Sequence, residues 1–170
     1  MLLRVLLALV CASALVLAPA SVSAEPSATV VSQFSGKPVP RFESLRYSAV
    51  HGRQGPSLDH PILWRYERQG LPMLVVRETH GWRRVRDQDG DEVWVQARML
   101  SDQRTVILLT EQVLRRSPET TAKAKAMLES GVVAQLNICQ PLWCELSVGK
   151  QTGWVERGGL WGVETSTDGL

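Results

Sequence analysis

An internal duplication is the feature of this sequence that most constrains its fold. Each copy runs from a glycine through a hydrophobic stretch to a tryptophan, then through a Trp-Val pair to a closing leucine. The matching landmarks are Gly70 and Gly131, Trp82 and Trp143, Trp94 and Trp154, and Leu100 and Leu160, each pair 60 or 61 residues apart. Short strands separated by Gly- and Asp-containing turns are typical of small β-barrels. The sequence therefore predicts two similar all-β units.

One segment of the second copy fits this pattern poorly. Residues 119–129 are rich in Ala, Lys, Met and Leu, and their intrinsic propensity favours a helix. By position, however, they correspond to the first-copy loop and to Ile62 to Glu67, where apolar and polar residues alternate as in a half-buried strand. We give the repeat more weight and predict a strand, with a helix as the alternative.

The first 24 residues have the organisation of a signal peptide. Arg4 precedes an apolar stretch from Val5 to Ala18, and Val22-Ser23-Ala24 forms a small-residue cleavage site before Glu25. An uncleaved anchor is the alternative, but the stretch is shorter than the ~20 residues that a spanning helix needs. We therefore expect a periplasmic or secreted protein without a stable membrane span after processing.

Charge and composition divide the remaining chain. Without residues 1–24, 146 residues remain with a net charge of +1, which argues against a nucleic-acid binder. Residues 25–40 are rich in Ser, Val, Pro and Gly and are predicted to be a flexible linker. The predicted domains then span 41–103 and 104–163, followed by a tail at 164–170.

Each copy has a long loop, a hairpin with a glycine turn, a Trp at a strand start and a Trp-Val pair before a closing turn. This order resembles that of bacterial SH3-like (SH3b) domains. More closely, several segments resemble an alphaproteobacterial family of exported proteins with tandem domains of this kind. These segments are Pro40 to Leu45, Arg53 to Pro56, Pro61-Ile62, Gly153 to Val155 and Leu160 to Val163. The resemblance covers about residues 37–163 and implies two tandem small SH3-like β-barrels after a signal peptide. Family members largely lack a defined activity. His51-Gly52-Arg53 replaces the usual Asn-Leu-Arg, and Val93 replaces a usual Gly.

Cys139 and Cys144 are predicted to form a disulfide. They are the only cysteines left after export, and they flank the turn Gln140-Pro141-Leu142, so they lie on adjoining strands. The alternative, a Cys-x4-Cys metal or redox site, lacks the two further soft ligands that zinc usually takes. We expect no metal and no cofactor.

Catalytic motifs are missing from the sequence. It contains no Gly-x-Ser-x-Gly, no phosphate loop, no HExxH and no cysteine beside a histidine. We therefore expect a protein that is not an enzyme. A basic hairpin at Arg83, Arg84 and Arg86 has two interpretations, a solvated edge strand or a contact for an acidic ligand.

The resemblance to SH3-like barrels implies a ligand groove between the long loop after the opening strand and the hairpin opposite it. The candidate ligand-binding residues in the first copy are His51, Arg53, Trp64, Tyr66, His80 and Arg84. The tryptophans that match between copies are expected to pack the barrels, whereas Trp64 and Trp161 have no counterpart, so either one is a candidate to face solvent. Because the second loop lacks Gly and Pro beyond Pro118, its groove is predicted to differ or be closed.

Together with the resemblance to SH3-like domains, these observations predict a non-catalytic binding module of the cell envelope. The expected partner is peptidoglycan, through its stem peptide or glycan, and the alternative is another envelope protein that this chain joins as an adaptor. An enzyme is a distant third. The sequence leaves open the identity of the ligand, the groove that binds it and the oligomeric state.

Overall fold

The computed structural model describes residues 30–164, which form strands and the turns between them. The predicted signal peptide, residues 25–29 and the tail beyond residue 164 lie outside the described residues. An N-terminal hairpin consists of β1 (Val30–Val31) and β2 (Pro38–Val39). The first barrel contains β3 (Arg41–Leu45), β4 (Val50–Arg53), β5 (Ile62–Tyr66), β6 (Pro72–Thr79), β7 (Trp82–Arg86), β8 (Glu92–Gln96) and β9 (Leu100–Ser101). The second contains β10 (Thr105–Leu108), β11 (Gln112–Arg115), β12 (Ala124–Leu128), β13 (Val133–Cys139), β14 (Trp143–Val148), β15 (Gln151–Glu156) and β16 (Leu160–Trp161).

The two sheets have the same strand order. In the first it is β5-β4-β8-β7-β6-β3-β9, and in the second it is β12-β11-β15-β14-β13-β10-β16. A short 3-10 turn precedes the last strand of each sheet, at Ala97–Met99 and Arg157–Gly159. Irregularities also recur, since the bulge after Gly52 corresponds to one after Leu114. The duplication in the sequence is therefore a duplication of the fold, and the predicted all-β class is confirmed.

Aliphatic side chains, not tryptophans, fill the barrels. In β8, Val93 and Val95 are almost fully buried, whereas Trp94 between them is half-buried. Successive side chains of a strand point to opposite faces, so Trp94 lies on the outer face. The expectation that the matching tryptophans pack the barrels is therefore not met. The first core is formed mainly by Leu45, Val50, Tyr66, Met73, Val75, Val85, Val93, Val95 and Leu100, and the second by Val106, Leu108, Leu114, Leu136, Cys144, Leu146 and Val155.

The ambiguous segment of the second copy, residues 119–129, contains a strand and no helix. Residues 124–128 form β12, which pairs with β11 on both sides of one bulge and ends on the buried Leu128. Ladder hydrogen bonds and one core contact outweigh the helical propensity of so short a stretch. The weight placed on the repeat is confirmed.

Residues 30–40 are ordered against the first barrel and differ from the flexible linker we expected. Their two strands pair with each other, and the Ser35 hydroxyl donates a hydrogen bond to Glu78 at 2.6 Å. Lys37 forms ion pairs with Asp102 and, at 3.8 Å, with Glu43. The polar composition that predicted flexibility therefore supplies contacts to charged groups of the barrel.

The two barrels pack against each other through equivalent turns. The Thr105 hydroxyl donates to the carbonyl of Gly70 at 2.6 Å, and Arg68 donates to the carbonyl of Gly131 at 2.6 Å. Gly162 lies in this interface with a φ of 109°, and a Cβ there would approach the Thr105 carbonyl oxygen to 2.5 Å. A glycine is therefore required at this position.

Candidate functional site

Each barrel carries an open groove. Its walls are the strand that opens the first hairpin (β4 or β11), the tryptophan that begins β7 or β14, and the 3-10 turn. Groove 1, in the first barrel, has a volume of about 230 Å³. It is lined by Ala49, His51, Arg53, Leu58, Trp82, Gln96, Arg98 and Met99. Groove 2, in the second barrel, has a volume of about 280 Å³ and is lined by Thr110, Glu111, Gln112, Val113, Arg115, Trp143, Glu156, Gly158 and Gly159. The grooves occupy matching positions of the two copies.

An arginine at the end of the opening strand shapes both grooves. Arg53 donates from Nη1 to the carbonyl oxygens of Leu58 at 3.0 Å and His60 at 2.8 Å. Arg115, its counterpart, donates from Nη1 to the carbonyl oxygen of Ala122 at 3.0 Å. Each guanidinium therefore holds the long loop that follows its strand, and part of the predicted ligand-binding role of Arg53 is structural.

A half-buried tryptophan forms the aromatic wall of each groove. Trp82 and Trp143 begin β7 and β14, and both stand on the outer side of their sheets. The match between copies predicts that both tryptophans pack inside the barrels, and their outer position differs from that prediction. The same match is the signal that could have identified them, since a repeated large aromatic residue at a strand start also fits a repeated binding surface.

The 3-10 turns make groove 2 the larger one. Arg98 and Met99 line groove 1, whereas the corresponding residues of groove 2 are Gly158 and Gly159. A Cβ at Gly159 would collide with the amide of Gln112, whose Nε2 is buried without a hydrogen-bond partner among residues 30–164. Of the two predicted alternatives, a different groove or a closed one, the structure shows the first, because groove 2 is open and has a different lining.

Two of the six candidate ligand-binding residues line a groove, and Trp64 and Tyr66 do not. Trp64 is 53% exposed, with its ring 6.4 Å from that of Tyr66, on the edge strand β5. Tyr66 is a core residue whose hydroxyl donates to Asp87 at 3.0 Å. Burial, together with the charge and hydrogen bond of Asp87, raises the pKa of the Tyr66 hydroxyl. This tyrosine therefore anchors the turn that begins at Asp87.

The other two candidates also lie away from groove 1. His80 is an exposed residue of the turn between β6 and β7. Arg84 forms an ion pair with Glu92 at 2.8 Å, and Arg86 forms one with the same carboxylate at 2.6 Å. The structure thus brings His51 and Arg53 together, along with Trp82 and Arg98, which sequence reasoning did not select.

A buried ionic cluster supports the first barrel beneath the N-terminal hairpin. The Glu78 side chain is 1% exposed and pairs with Arg41 and, at 2.8 Å, with Arg83. Burial alone would raise the pKa of Glu78, but hydrogen bonds from Ser32, Ser35 and Arg41 outweigh it. They hold the pKa of this carboxyl below its ordinary value of 4.5. Arg83 is therefore a structural cation rather than a ligand contact.

Cys139 and Cys144 form the predicted disulfide between β13 and β14. Within residues 30–164, no group of three or more His, Cys, Asp or Glu side chains is arranged to hold a metal ion. In the same part of the chain, no helix is long and apolar enough to cross a membrane.

Comparison with known protein families assigns both barrels to the same family. The model of the bacterial SH3 domain matches residues 47–102 and again residues 110–162, which together exceed half of the chain. The chain belongs to the bacterial SH3 domain family. Its two domains are thus tandem bacterial SH3 domains, as the sequence resemblance implied. No curated protein shows significant similarity to the sequence.

Solved structures similar to this tandem SH3 chain include NlpC2 and NlpC1 from Trichomonas vaginalis. They share 11% and 12% sequence identity with it, each over 76% of this chain, with a TM-score of 0.36 in both cases. The matched regions cover 51% and 48% of those two chains, so this protein spans about half of their length.

Proposed function

We propose that the protein is a non-catalytic binding module of the cell envelope that receives peptidoglycan stem peptide in its grooves. The observation that carries this proposal is the repetition of one groove in both SH3 domains, with arginine and tryptophan at matching positions. An indole offers an apolar face to a ligand chain, and nearby polar groups orient that chain.

The size and number of the grooves favour a polymeric ligand. At about 230 and 280 Å³, each is smaller than a typical small-molecule pocket of roughly 300–1,000 Å³. A single groove therefore binds weakly. Two grooves on one chain raise the effective affinity for a polymer that presents the same segment many times, as peptidoglycan does.

The chemistry of the described residues supports binding rather than catalysis. Cys139 and Cys144 are joined in a disulfide, so neither thiol serves as a nucleophile. The disulfide also fits an oxidising compartment outside the cytoplasm. If the chain is exported as its first residues predict, mass analysis of the exported protein will show Glu25 at its start. A membrane-bound chain that retains Met1 would contradict this.

A second candidate function, adaptor to another envelope protein, is favoured by β5. This strand is an edge of the first sheet, and its apolar residues Ile62, Leu63 and Trp64 are about half exposed. An exposed apolar edge strand offers unpaired backbone groups and side chains to a partner protein.

Sedimentation with isolated peptidoglycan sacculi tests the proposal and separates the two candidates. We expect the full-length mature protein to pellet with sacculi and to stay bound in ~0.3 M salt, which screens long-range charge attraction. The groove variant His51→Ala/Trp82→Leu should lose retention. The edge variant Trp64→Ala is the matched control, since Trp64 is an aromatic residue outside the groove, and should bind as the wild type does.

Two outcomes would contradict wall binding through the groove. If the wild type does not pellet, or is released entirely at ~0.3 M salt, peptidoglycan is not the ligand. If Trp64→Ala releases the protein while the groove variant stays bound, the edge of β5 is the binding surface. Circular dichroism of each variant verifies that it is folded.

A further inference from the structure

The two grooves share a plan but differ in charge. Groove 1 is lined by Arg53 and Arg98 and by no carboxylate. Groove 2 is lined by Glu111 and Glu156 and has Arg115 as its single cation. The corresponding uncharged residues of groove 1, Ala49 and Gln96, lie 62 and 60 residues earlier. The two grooves therefore share their position in the fold and differ in charge.

We propose that groove 1 selects a peptide end with a free carboxylate, whereas groove 2 disfavours it and takes a neutral or cationic segment. The proposal rests on the proposed function for the identity of the polymer but not for the charge preference. Each groove would thereby hold a different part of an extended peptide, and the pair would distinguish peptides with a free end from peptides whose end is capped.

The two arginines of groove 1 have N–H groups that are free to bind a ligand. Arg53 donates only from Nη1, to two loop carbonyls, and Arg98 donates only from Nε, to the Gln96 side chain at 3.1 Å. Neither guanidinium forms an ion pair with a described residue. A guanidinium with free N–H groups is suited to bind a carboxylate through two parallel hydrogen bonds. Asp59 lies in the neighbouring loop but does not line the groove.

The carboxylates of groove 2 are likewise without ion pairs to residues 30–164. Glu111 and Glu156 are both exposed, and Arg115 directs Nη1 to the Ala122 carbonyl. A ligand carboxylate entering groove 2 would face two like charges for one opposite charge. In groove 1 the same ligand would face two opposite charges and no like charge, so the electrostatic difference between the grooves disfavours an anion in groove 2.

The grooves also carry separate reporters, which makes the preference measurable. Trp82 lines groove 1 and Trp143 lines groove 2. The chain contains six tryptophans. Their indole N–H signals in a ¹⁵N NMR spectrum can be assigned to the two grooves with the variants Trp82→Phe and Trp143→Phe.

The experiment titrates the full-length mature protein with two probes that differ only in charge. These are N-acetyl-D-alanyl-D-alanine, with a free carboxylate, and its C-terminal amide. We expect the acid to shift the Trp82 signal with an affinity about three- to fivefold higher than the amide, the range for one partly exposed ion pair. For Trp143 we expect the order to be reversed.

Charge variants link the preference to named residues. Arg98→Glu should abolish the preference of the Trp82 signal for the acid and leave the Trp143 signal unchanged. Glu111→Gln/Glu156→Gln should let the acid shift Trp143 as strongly as the amide does. These side chains are exposed, so the variants should stay folded, and the unchanged signal of the other groove verifies this.

Several results would overturn the inference. They are equal effects of acid and amide on Trp82, a stronger effect of the acid on Trp143 than on Trp82, or no shift of either indole. Sacculus binding is a separate readout. If sacculi retain the protein but acid and amide act equally, the proposed function stands and this inference is wrong. If the acid is preferred in groove 1 but sacculi do not retain the protein, this inference stands and the proposed function is wrong.

Discussion

The ring of Phe42 meets that of Trp161 edge to face, at an interplanar angle of 87° and a centroid distance of 5.3 Å. Phe42 belongs to the first strand of barrel one and Trp161 to the last strand of barrel two. The end of the second copy therefore packs on the beginning of the first, and this contact couples the barrels. Trp161, which lacks a counterpart in the other copy, is a residue of the interface and not an exposed binding residue.

Replacing Trp161 should uncouple the barrels. We expect Trp161→Ala to lower the free energy of unfolding by about 2–3 kcal/mol, below the roughly 3–5 kcal/mol of a fully buried aromatic residue, because Trp161 is half-buried. Differential scanning calorimetry should show one transition in the wild type and two in the variant. Trp64→Ala is the control and should cost under ~0.5 kcal/mol, since Trp64 is exposed. An unchanged single transition in Trp161→Ala would contradict the contribution of the Phe42–Trp161 contact to this coupling.

Glu78 should make the first barrel sensitive to acid. The pKa of Glu78 lies below 4.5 in the folded state, so its charged form stabilises the fold above its unfolded pKa. That contribution is lost as the pH falls below about 4.5 and through the lower folded value. Glu78→Gln should flatten the dependence of unfolding free energy on pH in this range.

The same variant should be less stable at neutral pH. It leaves Arg41 and Arg83 without their shared carboxylate, and breaking a buried pair costs on the order of 3 kcal/mol. Urea unfolding at several pH values measures both effects. Glu67→Gln is the matched control, because Glu67 is exposed and pairs with Arg65 at 3.5 Å on the surface. Equal pH profiles for the two variants would contradict a special role of Glu78.

Each groove arginine should protect its own loop. Arg53→Ala should speed backbone hydrogen exchange in residues 54–61, and Arg115→Ala should do so in residues 116–123, because each removes the donor that holds loop carbonyls. We expect a local loss of about 1 kcal/mol, the usual value of one or two such hydrogen bonds. The loop of the unmutated barrel is the internal control. Faster exchange in both loops would mean that the barrels respond as one unit.

The disulfide should stabilise the second barrel modestly. Cys139 and Cys144 are five residues apart, and so short a loop favours the low end of the usual range, about 2 kcal/mol. Cys139→Ser/Cys144→Ala should lower the unfolding free energy by that amount. Alanine is chosen at Cys144 because this residue is fully buried and a hydroxyl there would need a partner. Free thiols in the non-reduced protein would contradict the bridge.

Much of the fold was predictable because its signals are local. The turn at Gly70 and the alternation around Trp64 are encoded in a few adjacent residues, and the repeat transferred these assignments to the second copy, including β12. The N-terminal hairpin was missed for the opposite reason. Its stability comes from Ser35 and Lys37 contacting Glu78 and Asp102, which are distant in sequence.

The sequence by itself determined that the chain contains two SH3-like β-barrels and a disulfide between Cys139 and Cys144. Only the tertiary structure decided which residues share a groove. The wall of groove 1 joins Arg53, Trp82 and Arg98 because β4 pairs with β8 and β8 pairs with β7. Neighbours across a sheet are set by pairing and by the face on which each side chain stands. A single sequence without the pairing therefore does not distinguish a groove residue such as Trp82 from an edge residue such as Trp64.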